Sequence, residues 1–340
     1  MKLTRIHLLS LATTITLIIL TSLWSARFVE ASQLNLELSM ASENYNMGGH
    51  ITINGTVTLS GTPLVDGLVS IQINRPDGNL WLIRTLPTGI NATTKQWPLQ
   101  IIEVAPLPSN LIIKKDVLGL NITIKNNDLF DHNTLLVVSL LYEGVIPYKA
   151  KTIANLTMPA NKTLRLMFSN VFTIEQDFPY GTYQVCVNMI TDLPANGGFA
   201  WGLEGSTGII VGYESSMYPP PPLMDGGFSL TFKTKDQYAM LGNYTLTASI
   251  RYVSMNPPFA GAARNSTVFE IVLIADITGP EGVPDGKVDI RDVTLVAYSF
   301  GSSPGDPGWN PIADLYPDNK INIRDVAVVA VDYGKIGILP

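Results

Sequence analysis

Between Leu34 and Leu273 the chain is built of runs in which apolar side chains recur at every second position. The run "LNLELS" sets Leu34, Leu36 and Leu38 on one side. "HITINGTVTLS" does the same with Ile51, Ile53, Val57 and Leu59, and "LVSIQIN" with Val69, Ile71 and Ile73. A period of two belongs to an extended strand with one face buried and the other exposed. Turn residues separate the runs, as in "SGTP" at 60–63 and "RPDGN" at 75–79. No long stretch here carries capped helical periodicity. The pattern predicts a mainly β protein built from antiparallel sandwiches of the immunoglobulin type.

Strand count divides this region. Residues 34–86 supply four strands by pattern. A Pro-punctuated passage follows. From Leu99 onward "LQIIEV", "VLGLNITIKNND", "TLLVVSLLYE", "TLRLMFSNVF", "GTYQVCVNMI" and "TGIIVGY" make a complete sandwich. "SSMYPPPPLMDGG" then brings Pro219 to Pro222, a stiff extended linker. The three strands that remain, "FSLTFKT", "NYTLTASIRYV" and "STVFEIVL", are a marginal core by themselves. Four and three together make a seven-stranded sandwich. The expected organisation is a signal peptide at 1–31, a discontinuous first sandwich at 34–96 and 225–273, a second sandwich inserted at 97–213, a linker at 214–224 and a small α-helical module at 276–336. Insertion is sterically easy because domain termini often lie close together.

Lys2 and Arg5 precede an apolar run from Ile6 to Trp24, and Val29 and Ala31 supply the small residues of a cleavage site. The run also has the length of a membrane span, so an uncleaved anchor is the alternative. Either reading places the rest of the chain outside the cell or on its surface. Glycosylation sequons at Asn54, Asn91, Asn121, Asn155, Asn161, Asn243 and Asn265 agree with export. A net charge of −6 argues against nucleic acid. The single cysteine, Cys186, allows no intrachain disulfide and sits in an alternating strand pattern.

The C-terminal part repeats itself. "DGKVDIRDVTLVAYSFG" from Asp285 returns as "DNKINIRDVAVVAVDYG" from Asp318, an offset of 33 with nine of seventeen positions identical. Acids recur in register with apolar residues, which a solvated acidic tail does not need. An EF-hand-type calcium loop takes side-chain oxygens at positions 1, 3, 5, 9 and 12, a carbonyl at 7 and Gly at 6. In the second copy these positions are Asp314 (1), Asp318 (5), the Lys320 carbonyl (7), Asn322 (9) and Asp325 (12). In the first they are Asp285 (5), the Lys287 carbonyl (7), Asp289 (9) and Asp292 (12), with Asp276 as first ligand across five extra residues. A short helix follows each loop. Val293, Val296, Ala297 and Phe300 form one stripe, and Val326, Val329, Ala330 and Tyr333 the other. Gly301 and Gly334 stand where C-terminal caps belong.

Three resemblances accompany these motifs. "YNMGGHITINGTVTLSGTPLVDGLVSIQINRPDG" resembles macroglobulin-type immunoglobulin-like domains. "GLNITIKNND" with "GTYQVCVNMITDLP" resembles the adhesion-related CARDB sandwich. The repeat over 276–336 resembles a type I dockerin module, and the combination looks like secreted multidomain proteins of archaea. The dockerin resemblance implies bound calcium and a cohesin-like or other surface-protein partner. Departures are Tyr316 at position 3, Asn319 for Gly at position 6, and Ile290–Arg291 and Ile323–Arg324 where a hydroxyl pair is common.

Catalytic signatures are weak. His50 and His132 are the histidines beyond the N-terminal run, no G-x-S-x-G occurs, and a His/Cys zinc site is not supplied. The segments 192–198 and 201–204 read as sandwich-end turns that form a binding rim. The expectation is a non-catalytic adhesion or scaffold protein with a calcium-dependent docking module. Its alternatives are a carbohydrate-binding component of a polysaccharide-degrading system, with glycan as ligand, and a surface-layer subunit.

Overall fold

The computed structural model describes residues 33–112, 114–176, 178–212, 226–255 and 258–340. The expected signal peptide and the Pro-rich linker at 214–224 lie outside the described residues. Within them no helix is long and apolar enough to cross a membrane.

The protein is mainly β. The first strands are β1 (Leu34–Met40), β2 (Asn44–Asn46), β3 (His50–Leu59), β4 (Thr62–Pro63), β5 (Leu68–Asn74) and β6 (Leu80–Pro87), followed by the short helix α1 (Ile90–Thr94). Next come β7 (Leu99–Leu107), β8 (Leu111–Ile112), β9 (Val117–Asn126), β10 (His132–Tyr142), β11 (Ile146–Met158), β12 (Thr163–Thr173), β13 (Gly181–Ile190) and β14 (Gly205–Val211). Then follow β15 (Gly227–Lys233), β16 (Gly242–Met255), β17 (Pro258–Val272) and the helices α2 (Ile290–Ser299) and α3 (Ile323–Asp332).

Four sheets result. One runs β1-β3-β15 with β4 on the margin of β3, and its companion runs β2-β17-β16-β5-β6. Strands far apart in sequence therefore share sheets: Phe232 pairs with Ile51, and Leu246 with Ile73. These two sheets enclose one core, with Ile51, Ile53, Val57, Ile71, Ile73, Phe228, Phe232, Leu246 and Phe269 inside it. The other two sheets run β12-β9-β7 and β11-β10-β13-β14-β8. They enclose a second core around Leu120, Ile122, Val138, Leu140, Phe178, Tyr183 and Val185.

The two cores are joined along β6. A strand at the margin of a sheet exposes N–H and C=O groups that need partners. Here the hydroxyl of Ser139 on β10 receives the Ile83 amide (3.0 Å) and donates to the Ile83 carbonyl (2.9 Å). Asn188 Nδ2 adds a 3.3 Å bond to the same carbonyl. Around them Ile83, Val137 and Ile190 form a small third apolar cluster.

The segments at 192–204 pack against the junction of the two sandwiches. Glu204 points into the junction and accepts from Arg84 Nε (3.0 Å) and Nη2 (2.6 Å) and from the Thr85 amide (3.1 Å). Ala195 donates its amide to Gln72 Oε1 at 3.0 Å, and Arg264 donates to the Ala195 carbonyl at 2.8 Å. These turns close over the second face of β5 and β16, so Ser70, Gln72 and Ser249 are buried polar residues.

Candidate metal centre

The duplicated segment folds as two loop–helix units packed on the first sandwich. Val288, Val296, Ala313, Ile321 and Val329 join the same core as Leu241, Leu273 and Ile277. A C-terminal extended segment fastens them. The Ile338 amide meets the Ala239 carbonyl, and the Leu241 amide meets the Ile338 carbonyl, both at 2.8 Å.

The 33-residue offset has a structural meaning. Gly301 donates to the Ile321 carbonyl (2.8 Å), and Ile321 donates to the Ser302 carbonyl (3.0 Å). One repeat on, Gly334 donates to Val288 (2.9 Å), and Val288 donates to Lys335 (3.1 Å). Position 8 of each loop thus pairs with the segment after the other unit's helix. Each unit completes its partner, as a local two-fold arrangement requires.

Positions 9 and 12 start the helices. Asp289 caps α2 by accepting the Arg291 amide (2.8 Å), and Asp292 returns a bond to the Asp289 amide (2.8 Å). Asn322 and Asp325 repeat this capping box on α3 at 2.9 and 2.7 Å. A capping box satisfies amide donors that a helix start otherwise leaves open. These four residues therefore have a folding role independent of any ion.

Position 1 organises the turn. Asp276 accepts the amides of Asp285 (3.1 Å) and Gly286 (2.7 Å). Asp314 accepts those of Asp318 (3.3 Å) and Asn319 (3.0 Å). Position 6 is left-handed in both, with φ of 82° at Gly286 and 60° at Asn319. Asn tolerates that region better than most residues because its side chain bonds locally. The longer first loop accommodates its extra residues through a turn in which Gly282 donates to the Gly279 carbonyl at 3.0 Å.

The position-12 carboxylates are enclosed. Asp292 and Asp325 are both 0% exposed. Asp292 also accepts the amides of Ile277 and Thr278, each at 2.9 Å. Asp325 accepts the Tyr316 amide at 2.9 Å. Tyr316 thus contributes its backbone to the second loop, where a side-chain oxygen is missing. Burial pushes the Asp276 carboxyl above its usual range. The amides of Gly286 and Asp285 oppose that push, and the charges of Asp292 and Asp285 add to it.

The acids at position 5 of both loops and position 9 of the first face guanidinium groups. Arg291 holds Asp285 at 3.1 Å and Asp289 at 3.2 Å, and Arg324 holds Asp318 at 3.2 Å. The Lys320 carbonyl accepts from Asn322 Nδ2 at 3.2 Å, while Lys287 bridges to Ile336. Among the described residues no three His, Cys, Asp or Glu side chains converge as a ready metal site. The donor chemistry, oxygen throughout, is what a hard cation takes. Gathering it on one ion requires Arg291 and Arg324 to release their carboxylates.

Hydrophobic stripes alone misplace the helix faces. Ala297 and Phe300, with Ala330 and Tyr333, are exposed. The buried faces run Asp292, Val296, Ser299 and Asp325, Val329, Asp332. Polar residues occupy two of three places on each, so an apolar count cannot find them. Asp332 has partners outside its helix, Lys335 Nζ at 2.6 Å and Asn46 Nδ2 at 3.0 Å. Duplicated apolar residues lie outside: Ile290 and Ile323, Tyr298 and Val331, Phe300 and Tyr333.

Of the sequons, Asn54, Asn91, Asn155, Asn161 and Asn243 are exposed, and Asn121 and Asn265 are half-buried. Asn265 Nδ2 donates to the Leu36 carbonyl at 3.1 Å. His132 pairs with Asp128 at 3.0 Å, and His50 is exposed at the start of β3.

No family model matches the chain, and no curated protein does. Among solved structures it is similar to an alkylpurine DNA glycosylase of Pseudomonas fluorescens, at 14% identity and a TM-score of 0.26, over 35% of this chain and 32% of that one. It is similar to a β-glucosidase of Listeria innocua at 13% identity and a TM-score of 0.24, over 35% and 16%. A Salmonella alpha-2-macroglobulin matches at 9% identity and a TM-score of 0.20, over 71% and 21%. The chain spans about a third or less of the length of these three structures. The similarity to macroglobulin-type and other β-sandwich proteins is weak, and at these scores it carries no argument about activity. What the fold and the loops define is a sheet-rich, mainly β protein with a duplicated loop–helix unit at its C-terminal side.

Proposed function

We propose that this protein is a secreted or cell-surface, non-catalytic adhesion or scaffold protein, docked through its C-terminal module in a calcium-dependent way. The sandwiches are read as immunoglobulin-like, the first of macroglobulin type and the inserted one of CARDB type, and the module as dockerin-like. One observation carries this reading. Asp292 and Asp325 are buried at equivalent places of a duplicated loop, with backbone amides and no cationic side chain as partners among the described residues. Calcium would be held by Asp276, Asp285, Asp289, Asp292 and the Lys287 carbonyl, and by Asp314, Asp318, Asn322, Asp325 and the Lys320 carbonyl. It would add positive charge where the loops gather negative charge. The exposed pairs Ile290/Ile323, Tyr298/Val331 and Phe300/Tyr333 supply the apolar surface for a partner.

The test is capture from a cell-envelope extract with the full chain as bait, in calcium and in chelator. The reading expects a surface protein retained in calcium, released by chelator and lost with Tyr298→Asp/Val331→Asp. Retention that ignores both chelator and the substitutions would overturn it.

A further inference from the structure

A second feature lies far from the duplicated loops and stands apart from the calcium reading. Between the β5–β6 turn of the first sandwich and strands β11 and β12 of the second runs an open cleft of about 770 Å³. That volume is within the range of ligand sites, which favour the junctions between domains. Arg75, Lys149, Lys151 and Lys235 line it, with Glu175 as the one acid among the described lining residues. Asp77, just outside, holds Arg75 Nη2 at 2.8 Å, and Glu175 holds Lys149 at 2.9 Å. Among the described lining residues four cations thus stand against one acid, in a chain whose net charge is −6. Lys151 Nζ reaches the Val171 carbonyl at 3.4 Å. Lys235 Nζ lies 4.1 Å from the centre of the Tyr148 ring, which presents it along the same wall. A walled concentration of one sign of charge raises the local concentration of the opposite ion.

The neutral lining narrows the ligand. Asn79, Thr152, Asn170 and Thr173 also face the cleft, and all four are exposed. Amides and hydroxyls exchange hydrogen bonds with sugar hydroxyls in both directions, and Glu175 accepts them. A uniformly basic wall would suit a phosphate chain. Cations interspersed with amides, hydroxyls and one carboxylate match a ligand that alternates carboxylates with hydroxyls. We propose that this cleft binds an acidic oligosaccharide of the uronic-acid type.

The experiment titrates the full chain with a linear uronic-acid tetrasaccharide. Chelator is present throughout, so that calcium bridging by the C-terminal acids plays no part. A neutral tetrasaccharide of equal length and a tetraglutamate peptide are the comparison ligands. Saturable binding of the uronate is expected, with neither comparison ligand bound comparably. Lys151→Gln/Lys235→Gln should weaken it by about tenfold or more, the worth of one or two charge-assisted hydrogen bonds. Lys125→Gln, exposed on β9 outside the cleft, should leave it unchanged, with all variants melting alike. No binding at millimolar uronate would overturn the proposal. So would equal binding of tetraglutamate, or equal losses in the cleft and Lys125 variants.

Discussion

Glu204 and Asp292 are both carboxylates withdrawn from water, and their partners differ in kind. Glu204, at the junction of the sandwiches, meets the guanidinium of Arg84 through two nitrogens and adds one backbone amide. Its charge is cancelled within the fold. Asp292, in the first loop, meets three backbone amides, and its repeat Asp325 meets two. Amides stabilise an anion without cancelling it. Burying an ionised group is costly unless it is paired or metal-bound. The junction is complete as folded, whereas the loops keep negative charge that a cation would complete.

The largest effect is expected where the charges cancel. Glu204→Leu leaves Arg84 buried without its partner and should cost about 4 kcal/mol, as broken buried pairs do. The double variant Arg84→Met/Glu204→Leu should recover most of that loss in denaturant unfolding. Recovery absent from the double variant would mean that shape, and not charge, governs the junction. Cys186 reports on the same place. Burial pushes its thiol up to about 12, with Arg84 opposing and Glu204 adding to the shift. Because the thiolate is the reactive form, alkylation at pH 8 should be very slow in the native protein and faster in Glu204→Leu. Equal rates would show that the junction stays closed without the pair.

A smaller loss belongs to the loops. In chelator, Asp292→Ala should destabilise α2 by about 3 kcal/mol and Asp325→Ala should destabilise α3 by about 2 kcal/mol, since the first strands three amides and the second two. Hydrogen exchange in the two helices reads the difference, and the reverse order would break the amide account. The smallest effect concerns Arg291 and Arg324, whose ion pairs are exposed. Their replacement by Gln should change stability by less than about 1 kcal/mol. Calcium affinity should rise, because Asp285, Asp289 and Asp318 are then released. Weaker calcium binding in these variants would contradict that role.

The strands were legible because Leu34, Leu36, Ile51, Ile53, Ile71 and Ile73 each face their own core and leave a polar neighbour between them. The second face was not. Ser70 and Gln72 look like solvent-facing residues, and their cover comes from 193–198, more than a hundred positions away. Nor does alternation reveal that Ser139 serves the margin of β6. In the loops, the acid spacing pointed to Asp276, Asp285, Asp289, Asp292, Asp314, Asp318 and Asp325 as a set. It could not separate capping from ligation, because a helix N-terminus and a cation both favour a carboxylate at the same place. Asp332 and Ser299 left no apolar signal, although they too recur at an offset of 33.

The most direct test is a calorimetric titration of the full chain with calcium, paired with melting curves in calcium and in chelator. The account predicts saturable heat from two unequal sites, abolished stepwise by Asp292→Ala and Asp325→Ala, and a C-terminal transition that calcium moves upward. No heat beyond dilution at millimolar calcium, with a melt that chelator leaves unchanged, would contradict it and leave the buried carboxylates as helix caps alone.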